Sequence, residues 1–374
     1  MIATVTAKLK IKPSESQMRA LQQTMITYRQ GCDFVSALVF EKRELGQPVL
    51  HRMTYQTLRS TLGLRSQMAQ SVMKTVIAKY KALRSNGHAW TLVRFKKPEY
   101  DLVWNRDYSL NLGAGLFSVN TLQGRIKVPF EAKGMEAYFD GSWTFGTAKL
   151  VYKKRKWFLH IPVSKEIAVP EPAEIEHVVG VDLGVNFVAT AYDTDGKTLF
   201  FRGRELKQKR ANYKRLRSEL QRKQTPSSRR RLKQIGEREN RWMTDVNHQV
   251  SKALVTRYGA NTLFVLEDLT GIRGATEKVR RKHRYVTVSW AFRQLREMVT
   301  YKSQLAKAMT IAVDPKHTSQ ACPICSHTAK GNRDKRGHRF RCLACGYASN
   351  DDRIGAMNLC LKGKEYLLQG AGLA

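Results

Sequence analysis

The chain has 374 residues, with 66 Lys and Arg against 31 Asp and Glu, a formal net charge of +35. Hydrophobic residues make up 42% of it, enough for packed cores, so a mainly disordered protein is excluded and two or three domains are expected. No apolar run reaches membrane-spanning length, the first residues lack a signal-peptide layout, and the charge excess calls for a large polyanion, nucleic acid before a membrane surface.

The chain opens on an alternating segment. Ala7, Leu9 and Ile11 point one way and Lys8, Lys10 and Lys12 the other, which predicts a half-buried strand. Ser14 followed three residues later by Gln17 is a helix-start signature. Leu21, Met25, Tyr28, Cys32, Val35 and Val39 then form one apolar stripe, in which Cys32 reads as core. Further helix is expected from Tyr55 to Leu83, with Met68, Val72, Val76 and Tyr80 on one face. Residues 13–87 are thus read as a small helical domain.

From about 90 to 165 the period changes to two. One hairpin is expected around Gln123-Gly124 and another around the basic turn 153–156, after which Trp157, Leu159, Ile161 and Val163 share a side. Antiparallel β-structure follows, read as a small barrel that the first strand can join. Arg94-Phe95-Lys96-Lys97 mixes basic and aromatic residues, as a nucleic-acid contact surface or a solvated edge would. Pro170, Pro172 and a cluster of glutamates mark a linker.

The C-terminal half carries three acidic positions. Val178–Val181 reads as the first of three strands, and Asp182 ends its apolar run, either paired with a cation or capping a turn. Leu263–Leu266 reads as another buried strand, ending in Glu267 and Asp268, although acids also commonly start loops. Asp351 and Asp352 lie at the start of a helix, where an acid is favourable in any case. Three carboxylates converging on one sheet edge would hold two Mg²⁺ ions for phosphodiester hydrolysis.

Residues 202–241 carry 16 Lys and Arg and 4 Asp and Glu, a net +12. Leu206, Tyr213, Leu216 and Leu220 suggest one helix; Pro226-Ser227-Ser228 breaks it. A second helix carries Leu232, Ile235, Trp242, Val246, Val250 and Leu254. Such a basic hairpin would grip phosphates, and the basic loop 278–284 could cover the site. Cys322, Cys325, Cys342 and Cys345 form CxxC-x16-CxxC, the spacing of a structural four-thiolate Zn²⁺ site, with free or redox-active thiols as the alternative. His327 and His338 are reserve ligands, Arg333, Lys335, Arg336 and Arg339 make the intervening segment basic, and Cys360 reads as core.

GVDLGVNFVAT, FVLEDLTGI and DPKHTSQACPIC…FRCLACGYASNDDRIGAMNL together resemble the TnpB family of transposon-encoded, RNA-guided DNA endonucleases, relatives of type V CRISPR effectors. The resemblance covers about 175–360. The N-terminal half matches in layout alone. It implies an α+β multidomain fold: a wedge-type β-barrel (1–12 and 88–168) interrupted by a helical recognition domain (13–87), then an RNase H-like RuvC nuclease domain (169–374) with a zinc ribbon inserted at 316–348. It implies Asp182, Glu267 and Asp352 as the catalytic, Mg²⁺-binding set. Asp352 is preferred over Asp351 because the family's acid falls seven residues after the last zinc cysteine, and Ala356-Met357-Asn358 matches the motif that follows. The four cysteines would hold one structural Zn²⁺. The implied partners are a guide RNA from the transposon end and a double-stranded DNA target next to a short adjacent motif. Tyr55, Gln70, Ser71 and Lys74 resemble positions near that motif; a polar helix face explains them as well. A monomer with RNA in bacterial or archaeal cytoplasm is expected, with no membrane. A miniature type V effector, a guide-dependent repressor that does not cut, and a guide-independent junction resolvase are the alternatives.

Overall fold

The computed structural model describes residues 1–97, 99–184, 186–268, 292–335 and 337–371, with side chains to residue 369. It divides into two compact units, Ile2–Glu166 and Ile167 onward with Met1.

The first unit opens with β1 (Ile2–Ile11), followed by three helices, α1 (Glu15–Lys42), α2 (Gln47–Ser60) and α3 (Ser66–Ser85). The strands β2 (Tyr100–Leu102), β3 (Tyr108–Asn111), β4 (Leu116–Thr121), β5 (Gly124–Glu131), β6 (Thr144–Phe145), β7 (Ala148–Lys153) and β8 (Lys156–Glu166) complete it. They run in the order β2-β7-β8-β1-β5-β4-β3, with β6 on β8, and every pairing is antiparallel. The outermost strands, β2 and β3, are joined by the short segment 103–107, which the Asp107 carboxylate braces by accepting from the Val103 amide at 3.0 Å. An isolated bridge between Trp104 and Tyr108 lies at the same join, and the strands form a nearly closed antiparallel barrel, as expected.

Local signals hold closely here. Ser14 caps α1 in a full capping box with Gln17. The whole stripe from Leu21 to Val39 is buried, as are Ala7, Leu9 and Ile11, and Trp157, Leu159, Ile161 and Val163. Burial pushes the Cys32 thiol up, so it stays a neutral core group. Two expectations change. The helix expected over Tyr55–Leu83 is two helices, because Gly63 takes a left-handed conformation (φ +63°) and only glycine does so without strain. The first hairpin turns one residue early, at Leu122-Gln123, since Thr121 already pairs with Gly124. One apolar core runs continuously through helices and strands of this unit.

The second unit holds β9 (His177–Asp182), β10 (Phe187–Asp193), β11 (Thr198–Arg202), α4 (Arg204–Lys223), α5 (Pro226–Tyr258), β12 (Thr262–Glu267), α6 (Phe292–Leu305) and β13 (Met309–Val313). Three short strands follow, β14 (Arg333–Asp334), β15 (Arg339–Arg341) and β16 (Ala348–Asn350), and then α7 (Asp351–Ala371). The main sheet is mixed, ordered β11-β10-β9-β12-β13, antiparallel on one side of β9 and parallel on the other. Helices cover both faces, so its central strands read as continuous apolar runs. Val179, Val181, Phe264 and Leu266 pack with Val250, Leu254, Leu295 and Val299 of α5 and α6. Val178, Leu263 and Val265 pack with Leu359 and Cys360 of α7.

The α4–α5 hairpin forms where the basic run predicts, with Thr225 capping α5 just before Pro226. Its inner face differs from the expected apolar stripe. Leu216 is exposed, and the residue α4 buries is Arg210, whose guanidinium faces the buried Glu239 together with Arg217 (2.6 Å). A segment this basic has few apolar side chains to offer, and a paired charge fills the contact instead. The basic loop 278–284 and Arg336 lie outside the described residues. Among the described residues, no helix is long and apolar enough to cross a membrane.

Candidate active site and metal centre

Strand periodicity builds the first part of the site. On β9, residues 178, 180 and 182 face α7; on β12, residues 263, 265 and 267 do. The two strands are parallel neighbours, and Leu266 lies opposite Val181, so the next residues, Glu267 and Asp182, end their strands side by side. Asp268 falls on the other face and pairs with Arg296 of α6 at 2.8 Å.

The third acid arrives with α7. The Asn350 side-chain carbonyl accepts from the amides of Asp352 and Arg353 (3.1 and 3.2 Å) and caps the helix start. The helix then lies hard against β9. A methyl group built on Gly180 would sit 2.0 Å from the Ala356 carbonyl oxygen and 2.4 Å from the Cys360 amide nitrogen. Gly355 gives the same closeness from the helix side: a methyl there would lie 3.1 Å from Asp182 Cγ. These glycines let the first turn of α7 press Asp352 toward Asp182. Neither glycine is among the expected site residues, although a glycine within an apolar strand is itself a sign of close backbone approach.

Electrostatics show the result. Asp182 is held well above the ordinary carboxylate range, first by burial, then by the charges of Glu267 and Asp352. Glu267 is raised by burial, against a hydrogen bond from Thr318 that lowers it. Asp352 is raised by burial and by Asp351, and its buried Oδ2 has no hydrogen-bond partner. Asp351 is committed elsewhere: Arg333 Nε and Nη2 both reach its Oδ2 at 2.9 Å. Nearby cations include Arg333, which acts on all three acids, Lys362, which acts on Glu267, and Lys207 in the first turn of α4, whose ammonium is pushed down by burial beside Asp352.

The chemistry of this set fits hard divalent cations: oxygen donors alone, buried, mutually repelling, with one oxygen unpartnered. Its spread matters too. Among the described residues, the four cysteines are the one group of three or more His, Cys, Asp or Glu whose ligand atoms all lie within 4.8 Å of one another. Asp182, Glu267 and Asp352 do not meet that mutual spacing.

The cysteine cluster is compact. Cys322 and Cys345 Sγ are 3.6 Å apart, and Cys325 and Cys342 Sγ 3.5 Å, close to the edge of about 3.8 Å that a tetrahedron of Zn–S bonds implies. Amides of Cys345 and Ala344 draw the Cys342 thiol down to about 6, toward the thiolate a metal needs. The four residues can thus hold one structural Zn²⁺ between the knuckles that precede and follow β14 and β15. His338 is turned away from the thiols, toward Asn186 and Asp351, and His327 contributes only its carbonyl to the knuckle. Cys360 is buried, as expected.

Of the N-terminal candidates, Tyr55 lies on α2 and Gln70, Ser71 and Lys74 on α3. Tyr55 is half-buried and stacked on His51, Gln70 is half-buried and Lys74 is exposed. Ser71 is corrected: it is 3% exposed, because the α3 phase that buries Met68 and Val72 carries it inward as well. Arg94-Phe95-Lys96-Lys97 lines a cleft of about 590 Å³ with Arg29, Lys79 and Lys149.

Comparison with known proteins adds relatives. Residues 160–276 match the family OrfB_IS605, described as "Probable transposase", and residues 292–359 match the Cas12f1-like TNB domain. A TnpB-like protein of Methanocaldococcus jannaschii is 28% identical over 246 residues, 63% of this chain and 84% of that one. The CRISPR-associated endodeoxyribonuclease Cas12f1 of Sulfoacidibacillus thermotolerans is 25% identical over 244 residues, 61% of this chain and only 56% of that relative. In structure, the Cas12f1 chain of a Cas12f1–sgRNA–target DNA complex superposes with a TM-score of 0.65 at 14% identity, over 92% of this chain and 82% of that one, which shows a shared fold. Beside the mixed sheet, its strand-end acids and the four-cysteine ribbon, the chain thus matches the OrfB_IS605 family over residues 160–276 and the Cas12f1-like TNB domain over residues 292–359, and is similar to TnpB-like and Cas12f1 proteins.

Proposed function

We propose that the protein is a Mg²⁺-dependent, RNA-guided DNA endonuclease. It binds a guide RNA from the transposon end, recognises a short adjacent motif in duplex DNA, and cuts both strands at a single RuvC-type site. The observation that carries this reading is the meeting of Asp182, Glu267 and Asp352 at the ends of β9 and β12 and the start of α7, where burial raises all three and the charges of Glu267 and Asp352 raise Asp182 further. The relatives' names and the RNA–DNA complex whose fold this chain shares support the partner assignment.

Asp182, Glu267 and Asp352 would hold two Mg²⁺ ions. When bound, such ions supply a nucleophile at neutral pH and stabilise the leaving oxygen. The protein's own part is to orient three carboxylates in a buried place where, without cations, they repel. Arg333 removes Asp351 from the set by pairing with it, which leaves Asp352 as the helix-start ligand. The basic faces of α4 and α5 would bind phosphates, and base pairing with the guide would supply sequence readout. Residues 316–348 would act as the zinc ribbon of a nuclease domain spanning 169–374. In the first unit, the barrel strands would form the wedge-type domain and 13–87 the recognition helices, with Tyr55, Gln70 and Lys74 toward the DNA.

The test is plasmid cleavage by the purified protein–RNA complex with Mg²⁺. Asp182→Ala should abolish cutting and leave RNA and target binding nearly intact. Equal loss of binding and cutting would remove Asp182 from the catalytic set. No cutting by the wild type, with guide-dependent binding kept, would favour a repressor.

A further inference from the structure

His317-Thr318-Ser319-Gln320, which leads into the first CxxC, belongs to neither metal site, yet Thr318 is 3% exposed and bonded on two sides. Its hydroxyl lies 2.6 Å from Glu267 Oε1 and 2.9 Å from the Pro315 carbonyl oxygen. One hydroxyl has one proton to donate, and an ionised carboxylate is the stronger acceptor. Its own carbonyl accepts from Asn358 Nδ2 at 2.7 Å, and the same amide reaches the Ala321 carbonyl at 2.9 Å. Asn358 is on α7, six residues after Asp352. Thr318 therefore joins β12, through Glu267, to the helix that carries Asp352. The next residue extends the tie: Ser319 Oγ accepts from Arg333 Nη1 at 2.9 Å, and that guanidinium also holds Asp351.

We propose that Thr318 is a positioning residue for the acidic centre: its hydroxyl orients the Glu267 carboxylate, and its carbonyl, through Asn358, sets that carboxylate against Asp352. The inference rests on the reading of Glu267 as a metal ligand. A ligand carboxylate free to rotate presents the wrong oxygen for part of the time, and removing a group that orients a ligand costs about ten- to a hundredfold in metal affinity. A purely structural Thr318, bracing the turn at Pro315, would lower stability without singling out metal binding.

The experiment measures Mn²⁺ affinity by electron paramagnetic resonance on the full-length protein with its co-purified RNA, alongside zinc content and melting temperature. Thr318→Val should weaken Mn²⁺ binding at the acidic centre about ten- to a hundredfold with zinc content unchanged, and Thr318→Ser, which keeps the hydroxyl, should restore most of it. Asn358→Ala should weaken it in the same direction with the Thr318 hydroxyl still present. Should the valine variant not fold, Thr318→Ala read against Thr318→Ser gives the same comparison. Wild-type Mn²⁺ affinity in the valine or alanine variant, or equal loss in the serine variant, overturns the proposal. Asp182→Ala separates the two readings. If it loses Mn²⁺ while Thr318→Val does not, only the positioning role falls; if it binds Mn²⁺ as the wild type does, the nuclease reading falls first.

Discussion

Gly180 is where packing and the acidic centre meet, and Gly180→Ala tests both. The new methyl would land 2.0 Å from the Ala356 carbonyl oxygen and 2.4 Å from the Cys360 amide nitrogen, with Leu359 Cβ at 3.0 Å. Two of these three are backbone atoms inside α7, four residues apart, so no side-chain rotation relieves the contact. Ordinary contact begins at 3.4 Å, so the helix and strand must separate by about 1.4 Å at this point. The strand cannot yield easily, since β9 is paired with β10 on one side and β12 on the other. Overpacking of this kind costs about 1–3 kcal/mol or more, which for a unit of this size is a fall in melting temperature of roughly 2–12 °C. The functional loss should be larger. Asp352 lies one turn before Ala356, and a misplacement of about 1 Å at a reacting centre costs on the order of a hundredfold in rate. The assays are thermal melting and plasmid cleavage of the protein–RNA complex, well below the variant's melting temperature. Gly236→Ala is the control: it sits inside α5, and its nearest neighbour is the flexible tip of Arg217 at 3.4 Å, so stability should hold or rise by up to about 1 kcal/mol. Wild-type melting and cleavage in Gly180→Ala would refute the reasoning that close backbone contact places Asp352.

Two further outcomes are expected. The carboxyls of Asp182, Glu267 and Asp352 are raised in the folded protein, so over the range from the ordinary carboxylate values up to the raised ones the folded state binds more protons than the unfolded one. Without added divalent ions, stability should therefore fall as pH rises through that range. Asp182→Asn should flatten the slope and raise the melting temperature at neutral pH; a lower melting temperature there would contradict the mutual repulsion. Cys342→Ser should lower zinc content, measured by plasma mass spectrometry, and destabilise the segment that bears Thr318 and Arg333. Full zinc occupancy in that variant would argue against a four-thiolate site.

Features with a short period or a short span could be read from the residues alone. The capping box at Ser14 and Gln17, the stripe of α1, the alternation of β1 and β8, the break between α4 and α5, and the paired CxxC motifs all depend on neighbours within a few positions, and each formed where its spacing points. The acids were legible as strand-end and helix-start residues, but their company was not. That Glu267 lies beside Asp182 follows from a parallel register between strands some eighty residues apart. That Asp352 is available while Asp351 is neutralised depends on Arg333, reaching back from another strand. The inward turn of Ser71, the ionic inner face of the basic hairpin, the need for glycine at 180 and the double attachment of Thr318 have the same origin. Spacing along a chain records which side of an element a residue takes; what that side meets is decided only when distant segments close-pack and every buried polar group must find its partner.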